Sequence, residues 1–309
     1  MNPRSFLIAL SLAALLGSAP ACQQAPGSFG SASTSASTLP EGSAASLPGL
    51  KAALAFHAPF DGKADAAFAK GDPKVYTGKE LGKDGEAGLT TPEVVIAKGQ
   101  GRFGDALQFR KKVSDVIFFR GGANVPYAKA DWSGTVSFWL SLDPDKDLAP
   151  GFADPIQITE RGWNDGALFV DFTKDDVPRH FRLGIFADRK VWDPKERNWD
   201  DVPVAERPMA DVPNPVFGHG KWTHVAFTWS RFNTGKDDGV AKLYMDGALA
   251  GEIGGRVQTF TWDPGKSVIQ VGMSYVGLVD DLAVFDRELT AAEISGIYRL
   301  PGGIAAIRE

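Results

Sequence analysis

Apolar and polar residues alternate over short runs along most of the chain after residue 50, a pattern typical of β-strands. The clearest run is residues 134–142, in which every second residue is apolar and Ser137, Trp139 and Ser141 occupy the positions between. We expect one face of this strand to lie in the core and the other face to be either covered by other residues or exposed to solvent. Similar runs, bounded by Gly, Pro, Asn and Asp, occur at residues 106–109, 116–119, 155–159, 167–171, 181–186, 223–229, 240–245, 268–271 and 278–285. So many short strands predict an all-β fold of two packed sheets.

Two local signals add a hairpin and a helix to this pattern. Asp246-Gly247 stands between two alternating runs, which predicts a two-residue hairpin turn with both residues at positive φ. Thr290 followed three residues later by Glu293 is a capping box ahead of an apolar run. We therefore predict one short C-terminal helix, which ends by Pro301.

Composition and charge exclude some classes of function. The 309 residues include 35 glycines and 20 prolines, more than ordinary globular usage, while 43% hydrophobic residues still supply a core. The formal net charge of −5 gives no attraction for phosphates. We expect no nucleic-acid partner, and no membrane contact other than through a lipid anchor.

The single cysteine, Cys22, follows an apolar run at residues 6–16 that is preceded by Arg4. This order predicts a signal peptide over residues 1–21. Two cleavage alternatives stay open. Ala21-Cys22 resembles a bacterial lipobox, with Ala19 where Leu is usual, and predicts lipidation of Cys22. A small-residue site ending at Ala21 would instead release a soluble protein.

Residues 23–50 consist mainly of Ser, Ala, Thr, Gly and Pro, and Glu41 is their only ionisable residue. Such a segment favours a flexible tether with a reach of about 30 Å. We therefore divide the chain into a signal peptide (1–21), a lipidation site and linker (22–50), a sandwich (51–299) and a tail (300–309). The expected location is extracytoplasmic, as a bacterial envelope lipoprotein at the outer membrane or cell surface. The alternative is a soluble secreted or periplasmic protein.

Five segments carry a family resemblance in the order of the chain. They are residues 101–109, 132–139, 220–226, 243–247 and 279–294. Together they resemble the laminin-G-like domains of the concanavalin A-like lectin and glucanase superfamily. The resemblance implies a jelly-roll β-sandwich of two antiparallel sheets, one of them concave. It implies no single activity, because this fold carries lectins, hydrolases, lyases and adhesion modules.

Catalytic patterns of the superfamily are missing from the sequence. Glucanases of this fold carry carboxylates along one strand as E-x-D-x-x-E, and no such pattern occurs. The lyases carry a Q-I-H strand and a catalytic tyrosine, whereas Thr159 follows Gln157-Ile158 here and residues 181–186 contain no tyrosine. We therefore predict a non-enzyme.

Candidate ligand residues come from two segments. Residues 187–220 form an unusually long connection that contains Trp192 and Trp199, and indoles can stack on sugar rings. This segment is predicted to be either a binding flap or an ordered structural flap. The turn Trp163-Asn164-Asp165 joins an aromatic platform to hydrogen-bonding groups, and its alternative is a hairpin turn with a packed tryptophan.

These observations favour a non-catalytic extracytoplasmic module that binds a polysaccharide or another glycan. A structural or adhesion module that binds protein is the alternative. A glycoside hydrolase or polysaccharide lyase with an unrecognised active site is the third hypothesis.

A calcium site is also expected. Asp280 has the parity of Leu282 in the last strand, which predicts that its carboxylate points inward and needs a cation or several donors. Related jelly-roll enzymes hold a structural calcium ion at the equivalent aspartate. The resemblance implies that Asp61 and the turn at Gly104 complete the site. The alternative is that Asp280 accepts backbone hydrogen bonds or pairs with Arg287.

Overall fold

Two antiparallel sheets pack against each other in the computed structural model, which describes residues 47–81 and 84–308. Strands are numbered in chain order. The nine-stranded first sheet contains β1 (Leu54–Ala58), β2 (Phe68–Ala69), β5 (Val94–Ala97), β6 (Ala106–Phe109), β8 (Trp132–Ser141), β13 (Thr223–Phe232), β14 (Gly239–Met245), β15 (Ala248–Arg256) and β17 (Gly277–Phe285). The eight-stranded second sheet contains β3 (Val75–Gly78), β4 (Glu86–Ala87), β7 (Val116–Arg120), β9 (Ala153–Gly162), β10 (Asp165–Phe172), β11 (Phe181–Phe186), β12 (Met209–Val212) and β16 (Val268–Met273).

Seven of the fifteen strand pairings in the described part of the chain join strands that are not consecutive in the sequence, as the crossovers of a jelly roll require. The first sheet has the order β15-β14-β13-β8-β17-β1-β2, with β6 joining β17 to β5. The second has the order β12-β11-β10-β9-β16-β7-β3-β4. Every run that alternation marked as a strand overlaps one of these strands, so the prediction of an all-β sandwich is confirmed.

Alternate residues of each strand build the main core between the sheets. Val136, Phe138 and Leu140 of β8 lie in this core and are fully buried. Trp139 points to the other side of the first sheet, where its ring stacks on that of Tyr298 with the ring centroids 5.7 Å apart. The strand therefore buries both of its faces.

Short helices cover that other side of the first sheet. They are α1 (Leu47–Ala53), α4 (Ala291–Arg299) and α5 (Ala305–Arg308), and their apolar residues form a second buried cluster with residues of the sheet. Two further single-turn helices, α2 (Pro144–Asp147) and α3 (Arg189–Trp192), lie in connections. None of the helices in the described part of the chain is long and apolar enough to span a membrane.

The folded unit extends past the bounds of 51–299 expected from the sequence. Leu50 is buried at one end, and Ile304 and Ile307 are buried at the other. All three fill apolar surface of the first sheet, so the last four residues of the expected linker and most of the expected tail belong to the fold. Cys22 and the rest of residues 1–46 lie outside the described residues.

The two local signals of the sequence appear as expected. Asp246 and Gly247 have φ values of 48° and 79°, as the hairpin turn requires. At the start of α4, the Thr290 hydroxyl accepts a hydrogen bond from the Glu293 amide, and the Glu293 carboxylate accepts one from the Thr290 amide. The Arg287 guanidinium also binds this carboxylate and lowers the pKa of Glu293 to about 2.

Candidate functional site

The outer face of the second sheet carries a small pocket, which we call the outer-face pocket. Its volume is about 130 Å³. Aromatic and thioether side chains line its walls: Phe152, Trp163, Phe169, Trp199, Met209 and Met273. Three charged side chains complete the lining, namely Asp154, Asp171 and Arg182. The pocket combines an apolar surface with a few convergent polar groups, as small-molecule sites commonly do.

The sheet register positions two of the charged groups. Asp171 of β10 faces Arg182 of β11 across the ladder, and Arg182 faces Asp211 of β12. The Arg182 Nε donates a hydrogen bond to Asp171 Oδ1 at 2.9 Å, and Arg182 Nη2 contacts the other oxygen. Both side chains are largely buried, so this bidentate pair is held firmly in place.

A bulge places the third charged group beside this pair. Val170 is paired with Ile156 and Phe172 with Ala153, so two residues of β9 stand opposite the single residue Asp171. Ala153 and Ile156 both lie in the core, and the extra residue lets Asp154 turn to the outer face. The bulge thereby brings a second carboxylate into the pocket.

Asp154 differs from Asp171 in having no partner. Its side chain is only 4% exposed, and no side chain or amide of the described residues donates a hydrogen bond to it. Burial raises the pKa of the Asp154 carboxyl well above its usual range, and the charge of Asp171 raises it further. The positive charge of Arg182 lowers the pKa of Asp154, but this guanidinium forms its hydrogen bonds with Asp171.

Two of the predicted ligand residues meet at the pocket. The ring of Trp163, which is 37% exposed, lies edge-to-face with that of Trp199 at a centroid distance of 5.2 Å. The sequence marked these residues separately, on a turn and on the long connection. The fold brings them together because the connection crosses the outer face of the second sheet.

The other predicted ligand residues hold the long connection in place. Trp192 packs edge-to-face on Phe186 at 4.9 Å, and its Nε1 donates a hydrogen bond to the Asn164 carbonyl at 2.9 Å. Asp165 Oδ1 accepts a hydrogen bond from the Arg189 amide at 2.8 Å. Asn164, Asp165 and Trp192 are not among the residues that line the pocket.

Ion pairs order the long connection further. Asp193 is fully buried and binds both Arg189 and Arg197. The guanidinium of Arg207 lies 4.1 Å from the ring centre of Trp199. Part of the segment at residues 187–220 is thus a packed structural flap, and Trp199 and Met209 in the same segment line the outer-face pocket. Its role as a binding flap stays a prediction.

The predicted calcium region contains a buried carboxylate. Asp280 is fully buried, and its two oxygens accept hydrogen bonds from the amides of Phe103 at 2.9 Å and Asp281 at 2.7 Å. Burial raises the pKa of Asp280 to about 8. Arg287 binds Glu293 instead, so of the two partners considered as alternatives to a metal ion, only backbone amides contact Asp280.

The expectation that Asp280 points into the core was wrong. Asp280 is paired with Trp139, whose ring lies on the helix-covered side of the first sheet. Asp281 has a φ of 52°, and the register shifts between Asp280 and Ala283. This irregularity breaks the alternation, so Asp280 and Leu282 occupy opposite faces.

Asp61 and the glycine turn do converge near Asp280. Asp61 Oδ1 accepts a hydrogen bond from the Asp105 amide at 2.8 Å. A Cβ atom added to Gly104 would lie 2.2 Å from Asp61 Oδ1, and one added to Gly101 would lie 2.9 Å from Asp280 Oδ2. The turn therefore packs closely against both carboxylates.

The carboxylate oxygens of this region are of a ligand type that calcium accepts. No group of three or more His, Cys, Asp or Glu residues with metal-binding geometry occurs in the described part of the chain. Calcium, however, accepts backbone carbonyls and water as ligands, and a carboxylate has lone pairs beyond the two that Asp280 uses. No Lys, Arg or His of the described residues forms an ion pair with Asp280.

A buried Ser-His pair lies on the helix-covered side of the first sheet. Ser137 Oγ is 2.9 Å from His224 Nε2. Both residues are at most 1% exposed, and burial lowers the pKa of His224 to about 3. Because no substrate can reach this pair, it is a packing element rather than a nucleophile with its base.

Comparison with known proteins supports the fold and leaves the ligand open. Residues 121–295 match the family model described as the concanavalin A-like lectin/glucanases superfamily. A search of curated proteins gives no significant match.

Several solved structures are similar to this chain. The binding domain of Paraclostridial Mosquitocidal Protein 1 has 13% identity and a TM-score of 0.50, over 81% of this chain and 52% of that chain. The receptor binding domain of botulinum neurotoxin mosaic serotype C/D has 14% identity and a TM-score of 0.51, over 81% and 51%. Domain 4 of AbnA, a GH43 extracellular arabinanase from Geobacillus stearothermophilus solved with arabinotriose, has 17% identity and a TM-score of 0.49, over 79% and 97%. The matches span about half the length of the two toxin domains, and they establish the fold alone.

Proposed function

Since the chain belongs to the concanavalin A-like lectin/glucanase superfamily, we propose that it is a non-catalytic module that binds a glycan at the outer-face pocket. The observation that carries this proposal is the exposed indole of Trp163 beside Trp199, next to the buried pair of Arg182 and Asp171. Indole rings offer flat apolar surfaces to the C–H faces of a sugar.

The charged groups suit the hydroxyl groups of a sugar. Arg182 has five N–H donors, of which those on Nε and Nη2 face Asp171. Asp154 supplies a further carboxyl group that no described residue engages. Because the Arg182–Asp171 pair is rigid, a ligand would form hydrogen bonds without first ordering these side chains.

The size of the pocket limits what enters it. Its volume of about 130 Å³ lies below the range of about 300–1,000 Å³ typical of sites that enclose a whole ligand. We infer that one ring or one substituent of the glycan enters, while the rest of the chain lies along the sheet. A sugar unit at the end of a glycan chain or at a branch point can enter the pocket in this way most easily.

The geometry favours binding over hydrolysis. Glycosidases place two carboxyl groups on opposite sides of the bond, about 5–10 Å apart, with one free to donate a proton. Here Asp154 and Asp171 are neighbours across the bulge, and both oxygens of Asp171 are bound by Arg182. This arrangement leaves Asp171 without a free oxygen to act as a nucleophile or base.

Replacement of Trp163 or Trp199 by alanine tests the proposal. We expect each change to weaken binding by about 30-fold, or about 2 kcal/mol, because buried tryptophan contacts dominate interfaces of this kind. Affinity electrophoresis against a panel of polysaccharides measures the loss. Phe68 on β2 is a matched control, since it is 36% exposed but lies on the first sheet, and Phe68→Ala should bind normally.

Two outcomes would contradict this proposal. If the wild type binds a polysaccharide and both tryptophan variants bind it equally well, the glycan lies elsewhere. If no polysaccharide of the panel retards the wild type, glycan binding is wrong and the protein-binding alternative takes its place. Reducing-sugar and unsaturated-product assays on the same panel test for hydrolase and lyase activity.

We also propose that Cys22 anchors the module to a bacterial envelope. The support is the order of the sequence, in which an apolar segment, the single cysteine and an almost uncharged linker follow one another. Cys22→Ser should move the protein from the detergent phase to the aqueous phase on detergent extraction. A wild type found wholly in the aqueous phase, or a mature N-terminus with an unmodified Cys22, would show that the anchor does not exist.

A further inference from the structure

Asp154 is the one carboxyl group of the outer-face pocket that has no ion-pair or hydrogen-bond partner among the described residues. Asp171 is bound by Arg182, and on β12 Asp211 Oδ2 lies 2.9 Å from His180 Nδ1. Asp154 is 4% exposed, and within residues 47–81 and 84–308 it has neither an ion-pair nor a hydrogen-bond partner. A carboxylate that is buried without a partner carries a large desolvation cost, which a bound cation would offset.

The outer-face pocket is lined by more carboxyl groups than cationic groups. Asp154 and Asp171 stand against the single guanidinium of Arg182. Arg182 binds Asp171 by a bidentate contact and forms no ion pair with Asp154. The whole chain also has a net charge of −5, which favours the approach of a cationic partner.

The walls of the pocket suit an organic cation. Trp163, Trp199 and Phe169 line it beside Asp154, and aromatic faces attract ammonium groups through their quadrupole. The same chemistry already operates next to the pocket, where the Arg207 guanidinium lies over Trp199. A hydrated metal ion would gain little from such walls, whereas an ammonium group on a carbon skeleton contacts both the walls and the carboxylate.

We propose that the outer-face pocket binds a protonated amine, which pairs with Asp154 and lies against the aromatic walls. This inference rests on the proposed function, and it names the glycan class as a polysaccharide with non-acetylated amino sugars. A sugar ring that carries an ammonium group supplies a cation and an apolar face together. The other source of the same group is a lysine side chain of a protein, which the experiment distinguishes.

Titration calorimetry on the full chain in detergent tests the proposal with two oligosaccharides. The probes are a β-1,4-linked glucosamine pentamer and its fully N-acetylated form, at one pH and one ionic strength. We expect the glucosamine pentamer to bind at least tenfold more tightly. Asp154→Asn should remove this preference, so that the variant binds the two pentamers with equal affinity. The control is Asp211→Asn, which removes a negative charge from the same face and should keep the preference.

A second pair of variants guards against a folding defect in Asp154→Asn. Met273 of β16 is the cross-strand partner of Asp154 and also lines the pocket. Met273→Lys would supply an internal ammonium group, so it should abolish the preference for glucosamine. Phe68→Lys, which places an ammonium group on the first sheet away from the pocket, is the matched control and should retain the preference.

The outcomes separate this inference from the proposed function. Equal affinity for the two pentamers would overturn amine recognition and leave glycan binding intact. Binding of Nα-acetyl-lysine amide, dependent on Asp154, without binding of either pentamer would support the ammonium pocket and overturn the glycan. If neither pentamer nor the lysine probe binds, the inference is wrong.

Discussion

Replacement of Trp132 by alanine is expected to lower the free energy of unfolding by about 4 kcal/mol, within the range found for buried aromatic residues. Trp132 is 1% exposed at one end of the main core. Its ring lies 4.9 Å from that of Trp262 and 5.2 Å from that of Trp229, in edge-to-face contacts. The cavity left by the indole cannot collapse easily, because its neighbours are themselves large rings from several strands and connections.

Urea unfolding followed by tryptophan fluorescence or circular dichroism measures this change. Trp199→Ala is the comparison, since Trp199 is only half-buried at the outer-face pocket and should cost less than about 1.5 kcal/mol. A loss of less than about 2 kcal/mol for Trp132→Ala would contradict the assignment of Trp132 to the core. The comparison also matters for binding, because a stable Trp199→Ala protein makes any loss of glycan affinity a property of the pocket.

The alternation of apolar residues was sufficient to predict the strands because each strand buries at least one face. In β8 the expected core residues Val136, Phe138 and Leu140 do lie between the sheets. The intervening Trp139 lies under the helices. The sequence predicted only that this face of the strand is either covered by other residues or exposed to solvent. Periodicity reports which residues share a face, but it does not report what covers that face.

Alternation failed where the backbone is irregular, and both failures fall on carboxylates. The bulge in β9 turns Asp154 away from the face of Ile156, although the two residues have the same parity. Asp281, which has a positive φ, likewise turns Asp280 away from the face of Leu282, although Asp280 and Leu282 have the same parity. A carboxylate inside an apolar strand was the one available signal, since such a residue is seldom left in a core without a partner.

The assembly of the pocket depends on contacts that are distant in the sequence. Trp163 and Trp199 were both singled out as candidate ligand residues, but their contact depends on the path of the connection over the second sheet. The pairing of Asp171 with Arg182 depends on the register of β10 and β11. Neither a path nor a register follows from local propensity, so the charged part of the pocket was missed.

Removal of calcium should have the second large effect, under our proposal that Asp280, Asp61 and the carbonyls of the Gly104 turn hold a structural calcium ion. A ligand present at a hundred times its dissociation constant stabilises the folded state by about 2.7 kcal/mol. For a domain of this size, that corresponds to a fall of about 5 °C in the melting temperature on addition of a chelator. Differential scanning calorimetry with calcium and with chelator measures the shift.

Variants decide whether the shift belongs to this site. Asp280→Ala should abolish the sensitivity to chelator, and Asp280→Asn, which keeps an acceptor for the amides of Phe103 and Asp281, should weaken it. Asp286→Asn is the matched control, because Asp286 follows the same strand but pairs with Lys70 at the surface, so this variant should retain the full shift. An unchanged melting temperature of the wild type in chelator, together with no calcium in elemental analysis, would show that backbone hydrogen bonds alone hold Asp280 in place.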